Sequence, residues 1–571
     1  MTIYYQMVIA YSVLYMYQSL KAPLPWTDCF DWWGVPLDGC YARQRARHVC
    51  ASIRKSLVLE GVNDTGGSDS PPVLVTYGGS SVLVSQSEYN SRFAGCVNAN
   101  ASSVDFFYNR VVLNVSSSFE QVGHAQPNLV ISYAICWTLV FLAIFKGIKV
   151  FGKVLVLTST VPYVILTVLL VRGLTLPGAS LGLRYLLVPR WDTLLSGDAW
   201  RAAVEQTFYS LSIGTGGLLV FGSYEPFREG AAARSATFVC AVDLLTSAFA
   251  SLVVFSVLGN MAHVLDIPVA DVVAAGPGLA FVTYPEALSV IPFPNLWSVL
   301  FFSMLFFLGI DSEMGTCEFL VNSIQELFPT FARRRTLTAF MYCSCAFVIG
   351  LALTTQAGLY VITILDNYLG ALIVLFACLG ETIIFGWIYG MNRIFFDVTF
   401  MTGSCPSYFV FMAVKYCAPV ALGGFLVYSL YVFPRSAVGD YLLPLWADAF
   451  GWLLAAAGLA PLLIVAAVKL WQCGFDWQRA AYPESDWGPA ESRHRLLYRE
   501  RLYEAGFAEP LRYVQASPAA MAKAGAVTTT TMMTKPTAEA APAEVDQWRQ
   551  PPKRSTDGAK MPSPSSKRGL L

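Results

Sequence analysis

Charged side chains are scarce in this sequence. Asp, Glu, Lys and Arg make up 13% of its 571 residues, whereas about 25% is usual for soluble domains. Basic and acidic residues number 38 each, so no excess of positive charge points to a nucleic-acid partner. Hydrophobic residues reach 55%, and the mean hydropathy is +0.52. This composition excludes an ordinary soluble globular protein and predicts an all-α, multi-pass membrane protein with polar appendages.

Motifs for the common hydrolytic chemistries are also missing. The sequence has four histidines and no zinc-ligand spacing, P-loop, GxSxG or HExxH motif. No enzyme is therefore expected, and no pump driven directly by ATP. The first apolar run has neither a basic segment before it nor a small-residue cleavage site, so no signal peptide is expected. The remaining function classes are a secondary transporter, a channel and a receptor.

Long apolar runs are abundant. Ten of them are long enough to cross about 30 Å of hydrocarbon. They lie near residues 2–19, 128–145, 154–172, 202–225, 236–262, 294–322, 335–356, 360–390, 407–433 and 441–470. The sequence therefore predicts ten membrane spans.

The connections between the runs predict the orientation in the membrane. The segment 20–127 carries glycosylation sequons at Asn63, Asn100 and Asn114, which suit the outside of the cell. The short basic connections KGIKVFGK, REGAAAR and FARRRT suit the inside. These features together predict a plasma-membrane protein whose N- and C-termini are both cytoplasmic.

Four regions follow from this pattern. Residues 1–19 form the first span, and residues 20–127 form a large glycosylated extracellular loop. Residues 128–471 contain nine further spans with short connections, and residues 472–571 form a cytoplasmic tail. The tail is predicted to carry a short amphipathic helix over 494–513. After about residue 514 it is rich in Pro, Ser and Thr, which predicts disorder.

The extracellular loop contains four cysteines, an arrangement that suits an oxidising exterior. Three pairings are open from the sequence alone. One of them closes a small ring and a larger ring, Cys29–Cys40 and Cys50–Cys96. We expect disulfides that brace the loop and not redox chemistry.

Acidic residues occur inside the apolar runs, where ionisable groups are costly and are functional by default. Lysines and arginines are found at the ends of the runs. Carboxylates at depth without cationic side chains indicate bound cations, and their hard oxygen atoms suit an alkali cation. The alternative is that neighbouring helices satisfy each carboxylate separately. The acids are Asp243, Asp311, Glu313, Asp366 and Glu381.

One apolar run contains residues that are weak helix formers. It reads TFYSLSIGTGGLLVFGSYEPF from Thr207 to Phe227. Unpaired backbone is tolerated at membrane depth only where it lines a cavity. We therefore predict an unwound segment from Ser210 to Gly217 between half-helices at 200–209 and 218–226. A close-packed seam of small residues is the alternative, and the run alone favours neither.

Six segments together resemble the neurotransmitter:sodium symporter family. They are IYYQMVIAYSVLYMYQSLKAPLPWTDC, FKGIKVFGKVLVLTSTVPYVILTVLLVRGLTLPGA, FYSLSIGTGGLLVFGSY, LTSAFASLVVFSVLGNMA, GPGLAFVTYPEAL and LGIDSEMG. The resemblance extends from about residue 2 to residue 470. It implies an inverted-repeat, leucine-transporter-like fold of twelve helices, of which ten are present. Residue 2 matches the start of the family's third helix, so a truncated gene product or isoform is expected.

The resemblance implies a substrate pocket. Tyr5 matches the helix-3 tyrosine that faces the substrate, and Tyr209 matches the aromatic lid over it. The other positions that match pocket residues are Ser210, Leu211, Ser212, Gly214, Thr215, Ser312, Glu313 and Gly315.

The resemblance also implies ion sites. The Leu308 carbonyl, Asp311 and Ser312 match the second sodium site, and Ser210 and Asp243 match protein ligands of the first. The positions that match chloride ligands are Gln206, Ser210 and Ser247.

Two further acids match the gates of the family. Asp366 resembles the outer-gate acid and Glu326 the inner-gate acid. Their arginine partners match no position in the sequence, since they belong to the family's first helices.

Asp243 departs from the family, which usually has asparagine at this position. An aspartate strengthens a cation site but repels an anion within about 4–6 Å. We therefore expect weakened chloride dependence, with Asp243 supplying the compensating negative charge.

The resemblance implies a sodium-coupled symporter that works by alternating access, with Na+ and, subject to Asp243, Cl− as co-transported ions. A small zwitterion such as glycine, proline, GABA or taurine is favoured as substrate over a monoamine. The competing hypothesis is a truncated, non-transporting member that associates with full-length family partners. The expected partners are the bilayer, the substrate, and a second copy or a full-length relative.

Overall fold

The computed structural model describes residues 2–36, 40–41, 73–77, 80–84, 101–224, 231–265, 268–272, 278–403, 405–439, 441–481, 483, 487–489 and 491–506. The residues up to Phe507 form one compact unit, and a second unit, Ala508–Leu571, lies outside the described residues. The structural statements below concern the described residues.

The described part of the chain is almost entirely helical. Its longer helices, in chain order, are α1 (Thr2–Gln18), α2 (Pro127–Ile144), α3 (Ile148–Leu174), α4 (Ala179–Leu187), α5 (Gly197–Ser210), α6 (Gly217–Ser223), α7 (Ala231–Leu265), α8 (Pro294–Leu327), α9 (Arg335–Gly350), α10 (Gly358–Leu365), α11 (Leu372–Ile383), α12 (Met391–Thr402), α13 (Ala418–Tyr431), α14 (Leu445–Gln472) and α15 (Ser492–Glu504).

Short helical turns connect or extend these helices. They lie at Asp31–Trp33, Ser103–Phe106, Phe107–Val112, Trp191–Leu195, Val269–Val272, Leu279–Thr283, Tyr284–Ser289, Pro329–Ala332, Leu351–Thr354, Asp366–Ala371, Ile384–Gly390, Tyr408–Met412, Ala413–Cys417 and Trp477–Ala481.

Three short strand pairs occur in the connections. Cys40–Tyr41 pairs in parallel with Ala101–Ser102, and the other two pairs are antiparallel. These are Val73–Tyr77 with Ser80–Val84, and Ala437–Val438 with Tyr441–Leu442.

Eight helical runs among the described residues are long and apolar enough to cross a membrane, by length and composition. Two of the ten predicted spans are not among the eight. Helix α1 has 17 residues, just under the length required of an unbroken span. The run at 202–225 is divided into α5 and α6. Eight of the ten predicted spans thus correspond to unbroken helices of this kind, and the other two correspond to α1 and to the run in which the sequence predicted a break.

Helix α1 occupies the centre of the main hydrophobic core. It packs on α2, α8 and α9, and ten of its 17 residues are buried. Near its outer end, Tyr15 lies against the rings of Trp26, Phe281 and Phe302 at centroid distances of 4.9–5.3 Å. By contrast, α14 has three buried residues among 28, as expected of a helix at the lipid-facing periphery.

Helix α8 carries several predicted site residues and is long enough to reach both aqueous sides. It begins with Pro294, a residue favoured in the first turn because it needs no amide partner there. Its 34 residues span about 51 Å, whereas the hydrocarbon is about 30 Å thick. The middle of α8 is therefore at membrane depth, and its end near Leu327 is at an aqueous surface.

Candidate functional site

The break predicted in the run at 202–225 is present. Helix α5 ends at Ser210 and α6 begins at Gly217. Three residues between them have positive φ: Ser212 at 53°, Gly214 at 77° and Gly216 at 83°. Glycine adopts this conformation readily, whereas serine does so rarely. The two glycines therefore permit the chain to leave one helix and enter the next.

The break is also held against a neighbouring helix. A Cβ atom at Gly214 would lie within 3.3 Å of the Val374 carbonyl and would collide with the Cys378 sulfur. Inside the break, the Thr215 hydroxyl donates to the Ser212 carbonyl at 2.7 Å. The segment is thus an ordered turn at which backbone groups leave the helical pattern.

Two of the residues matched to the first sodium site are in contact. The Ser210 hydroxyl, at the end of α5, donates a hydrogen bond to Asp243 Oδ1 in α7. Gln206 lies one turn earlier in α5, and Ser247 lies one turn later in α7. Both residues are exposed. The structure therefore brings a carboxylate to the first edge of the break.

The residues matched to the second sodium site lie on α8. Asp311 accepts hydrogen bonds from two hydroxyls of α3, Thr158 to Oδ1 and Ser159 to Oδ2, each at 2.6 Å. The Ser312 hydroxyl donates to the Leu308 carbonyl at 3.3 Å. Carboxylate, hydroxyl and carbonyl oxygens are thus grouped within one turn, a donor set that suits a hard cation.

A second contact from α3 reaches the helix that carries Asp243. The Tyr163 hydroxyl is 2.7 Å from the Thr246 hydroxyl. Helix α3 is therefore hydrogen-bonded both to α8 at Asp311 and to α7 between Asp243 and Ser247. None of the described residues forms a cluster of three or more His, Cys, Asp or Glu side chains suited to a metal ion.

The predicted substrate tyrosine faces the same region. The Tyr5 hydroxyl interacts with Ser312, so α1 and α8 meet beside the sodium-site residues. Its neighbour Tyr4 interacts with the Asp366 carboxylate. Asp366, the predicted outer-gate acid, therefore has a partner on α1 that the sequence did not indicate.

A cavity of about 730 Å³ lies beside this acid. Its polar lining includes Asp366, Gln206 and Tyr209, which were predicted, and Arg201 and Glu205, which were not. Arg201 Nε lies 3.9 Å from Glu205 Oε1. Leu372, Val374, Leu375 and Phe433 supply an apolar wall. The cavity thus combines both signs of charge with an apolar wall.

Glu313 is buried, whereas its neighbour Ser312 is exposed. Only 1% of Glu313 is exposed, and its side chain accepts a hydrogen bond from the Cys317 thiol at 3.5 Å. Gly315, one turn from Asp311, lies beside Phe221 of α6. Leu211 lies in the break itself. The pocket roles of these residues stay predictions.

A buried ion pair lies near the end of α8. Glu318 is fully buried and pairs with Arg335 at the start of α9. Arg335 also donates to Asn322 Oδ1 at 2.8 Å, and Asn322 donates to the Tyr224 hydroxyl after α6. The predicted inner-gate acid, Glu326, is exposed, and its role stays a prediction.

The extracellular features are described in part. Cys29 and Cys40 form a disulfide, whereas Cys50, Cys96, Asn63 and Asn100 lie outside the described residues. Asn114 is half-buried and has a φ of 49°.

The tail helix predicted over 494–513 is present in its first part as α15, which begins at Ser492 and ends at Glu504, earlier than predicted; the segment after residue 506 lies outside the described residues. Tyr498 of α15 is buried, and its hydroxyl donates to Asp397 Oδ1 of α12 at 2.7 Å. The other Asp397 oxygen accepts from Tyr389, whose own hydroxyl accepts from the Trp487 indole at 3.1 Å. The tail is thus attached to the segment between α11 and α13.

Several of these contacts have no signal in the sequence. Thr158 and Ser159 lie more than 150 residues along the chain from Asp311, and Arg335 lies 17 residues from Glu318. The hydroxyl-rich run LTST inside an apolar helix is the one indication that α3 had a polar partner.

A model of the sodium:neurotransmitter symporter family matches residues 1–63 and 80–473. The chain belongs to this family. It is a family of transporters and not of enzymes, which agrees with the absence of hydrolytic motifs.

Relatives within the sodium:neurotransmitter symporter family are about one-third identical. The chain is 32% identical over 498 residues to the sodium- and chloride-dependent glycine transporter 2 of Xenopus laevis, covering 86% of this chain and 61% of that protein. It is 33% identical over 510 residues to the sodium- and chloride-dependent neutral and basic amino acid transporter B(0+) of Mus musculus, covering 86% and 75%. It is 32% identical over 504 residues to the sodium- and chloride-dependent glycine transporter 1 of Xenopus laevis, and this match covers 86% of this chain and 74% of that protein.

Proposed function

We propose that this chain is a sodium-coupled symporter of a small amino acid that works by alternating access. The observation that carries the proposal is a pair of hydrogen-bonded carboxylates, Asp243 at the helix break and Asp311 in α8. Asp243 accepts a hydrogen bond from Ser210 of α5, and Asp311 accepts hydrogen bonds from two hydroxyls of α3. Carboxylates at membrane depth that share oxygen-rich surroundings favour bound cations.

In this proposal Asp311, Ser312 and the Leu308 carbonyl hold one sodium ion, and Asp243 and Ser210 contribute to another. Backbone groups of the break, with Tyr5 and Tyr209, would hold the ammonium and carboxylate of the substrate. Half-helix ends carry partial charges that suit both groups. Joint occupancy by sodium and substrate would favour closure over the site. Asp366 would act at the outer gate, and Glu326 at the inner gate.

The substrate class rests on the relatives and on the polarity of the site. The relatives named above are transporters of glycine or of neutral and basic amino acids. Ser212, with its short side chain, lies in the break beside Gly214 and Thr215. These features favour a small zwitterion of the glycine, proline, GABA or taurine type over a monoamine.

Chloride dependence is proposed to be weak. Asp243 places a carboxylate where the chloride ligands Gln206, Ser210 and Ser247 would meet, and like charges repel at short range. The relatives are described as sodium- and chloride-dependent. Asp243 would supply in this chain part of the negative charge that chloride supplies in them.

The fold proposal is a leucine-transporter-like inverted repeat. We propose that α1 and the α5–α6 pair also cross the membrane, which gives ten spans in the plasma membrane with both termini cytoplasmic. Two observations support membrane-spanning helices: α8 is long enough to cross a bilayer, and α14 exposes an apolar surface that lipid could cover.

Uptake of labelled amino acids and amines into cells that express the chain tests the proposal. We expect accumulation of a small amino acid in sodium, and no accumulation above background when choline replaces sodium. Asp311→Asn should abolish the sodium-dependent part at equal surface abundance. If no compound accumulates, but the chain alters uptake by a co-expressed full-length relative, the partner hypothesis holds and transport by this chain is refuted.

A further inference from the structure

Two hydroxyl groups of α3 contact a predicted sodium ligand of α8. Thr158 Oγ1 and Ser159 Oγ lie 2.6 Å from the two oxygens of Asp311, one on each. We propose that Thr158 and Ser159 are positioning residues for sodium, which fix the orientation of the Asp311 carboxylate. The inference rests on the proposed sodium site at Asp311.

The geometry supports orientation and not displacement of the cation. An ionised carboxylate has about four acceptor positions on its two oxygens. One hydroxyl on each oxygen leaves acceptor positions on both, so a cation can still be bound. Two donors from consecutive residues of a helix hold the plane of the carboxylate in one rotational setting, which a single donor does not do.

The two hydroxyls differ in their surroundings. Thr158 is buried, with 6% of the residue exposed, and also lies 3.1 Å and 3.2 Å from the carbonyls of Val154 and Leu155. Ser159 is exposed. Water can replace a lost donor at an exposed position more readily than at a buried one. Removal of the Thr158 hydroxyl should therefore have the larger effect.

Helix α3 provides a matched control in the next residue. The Thr160 hydroxyl donates to the carbonyl of Val156 at 2.6 Å, which is the ordinary bond of a threonine to its own helix. Thr160→Val makes the same chemical change as Thr158→Val, two residues away. It should leave the sodium response unaltered.

The experiment measures sodium-dependent stabilisation of the purified chain. Thermal unfolding is followed while sodium chloride replaces choline chloride at constant ionic strength, because an ion that binds the folded state raises its stability by mass action. Each variant loses a hydrogen bond to the charged Asp311. We expect sodium affinity to fall roughly 10-fold in Thr158→Val and roughly 3-fold in Ser159→Ala. Thr158→Ser keeps the hydroxyl and should restore the sodium response to within about twofold.

Uptake supplies the second readout. At saturating sodium the KM for the substrate should be unchanged in Thr158→Val and Ser159→Ala. In the same two variants the sodium concentration for half-maximal uptake should rise. A merely structural role would lower the unfolding temperature without moving the half-saturating sodium concentration, and that result would overturn the inference. An unchanged or lowered half-saturating concentration, or an equal rise in Thr160→Val, would also overturn it.

The sodium site itself is tested separately. If Asp311→Asn retains the full sodium response, the proposed site has failed. If Asp311→Asn loses the response while Thr158→Val and Ser159→Ala keep the native half-saturating concentration, only the positioning role has failed.

Discussion

At the residue scale, the carboxylates of Asp243 and Asp311 have different partners. Asp311 accepts from two hydroxyls of α3, and Asp243 accepts from Ser210. The Asp243 side chain is also one turn from Ser247 and faces the end of α5, where the chloride ligands were predicted. We therefore predict that the charge of Asp243 decides whether an anion is favoured there.

Replacing this charge should alter the chloride requirement. Two like charges about 5 Å apart repel by about 3 kcal/mol at an effective dielectric constant near 20. In Asp243→Asn this repulsion is removed and an amide donor is added. We expect replacement of chloride by gluconate to lower uptake at least about tenfold in Asp243→Asn and less than about twofold in the native chain. Uptake measured at equal sodium concentration checks this.

Ser247→Ala in the Asp243→Asn background is the control, because it removes a predicted chloride ligand. The gained chloride dependence should be lost again. Equal chloride responses of Asp243→Asn and the native chain would contradict the compensating role of Asp243.

The buried pair Glu318–Arg335 is a second residue-scale determinant. Removal of one member of a buried pair leaves the other charge uncompensated, at a cost of about 3–5 kcal/mol. Arg335→Ala should destabilise the protein by this order, because Glu318 is fully buried. The neighbouring exposed Arg333→Ala should change stability by less than about 0.5 kcal/mol.

Thermal unfolding of the two variants side by side provides the measurement. Adding Glu318→Gln to Arg335→Ala should recover part of the loss, since the buried charge is then absent. A double variant as unstable as the sum of the single variants would show that the two residues act independently.

At the scale of elements, close helix contacts depend on glycine at one crossing. Gly182 of α4 and Gly259 of α7 meet so closely that a Cβ atom at either position would collide with the opposite backbone. Helices without side chains at the contact can approach this far. The α4–α7 crossing therefore fixes the C-terminal end of α7, the helix that carries Asp243.

The attachment of α15 to α12 is the second feature at this scale. Burial, followed by the hydrogen bond to Asp397, raises the pKa of Tyr498 above its usual value. Since the pKa is higher in the docked state, the stabilisation is complete below the usual pKa of about 10. It is lost as the pH rises through the higher, docked value.

Docking of α15 should therefore weaken at alkaline pH. Tyr498→Phe removes the titrating hydroxyl and its hydrogen bond to a charged group, which is worth about 1.5–3 kcal/mol. We expect faster tryptic cleavage at the arginines of α15 in this variant at pH 8, with no further acceleration towards pH 10.5. The native chain should show the acceleration, and Tyr503→Phe, which alters an exposed tyrosine of the same helix, should behave like the native chain. Identical pH profiles for Tyr498→Phe and the native chain would refute this role of the hydroxyl.

At the scale of the whole molecule, the helices divide into buried and peripheral ones. Helix α1 packs against α2, α8 and α9, whereas α14 is mostly exposed. Aromatic contacts around Tyr15 join α1 to the segment between α1 and α2 and to α8. The residues matched to sodium and substrate sites thus lie where a central helix, the broken helix and α8 approach one another.

Much of this arrangement was predictable from the residues. Apolar length predicts where helices lie, and the predicted span 2–19 agrees with α1 to within one residue at its end. The run SLSIGTGG alone did not separate an unwound segment from a packed seam of small residues, because glycine and serine suit both; the resemblance to the family favoured the break. The contacts of Asp311 were beyond prediction, since Thr158 lies 153 residues away.

The sequence by itself determined the class of protein, the helical runs, the family and the depth of the acidic residues, because hydrophobic length and local backbone preference are properties of neighbouring residues. Only the tertiary structure decided which side chains meet those acids. It paired Asp311 with Thr158 and Ser159, Asp366 with Tyr4, and Glu318 with Arg335. A hydrogen bond requires two groups to be about 3 Å apart, and for residues on different helices that distance is set by how the helices pack.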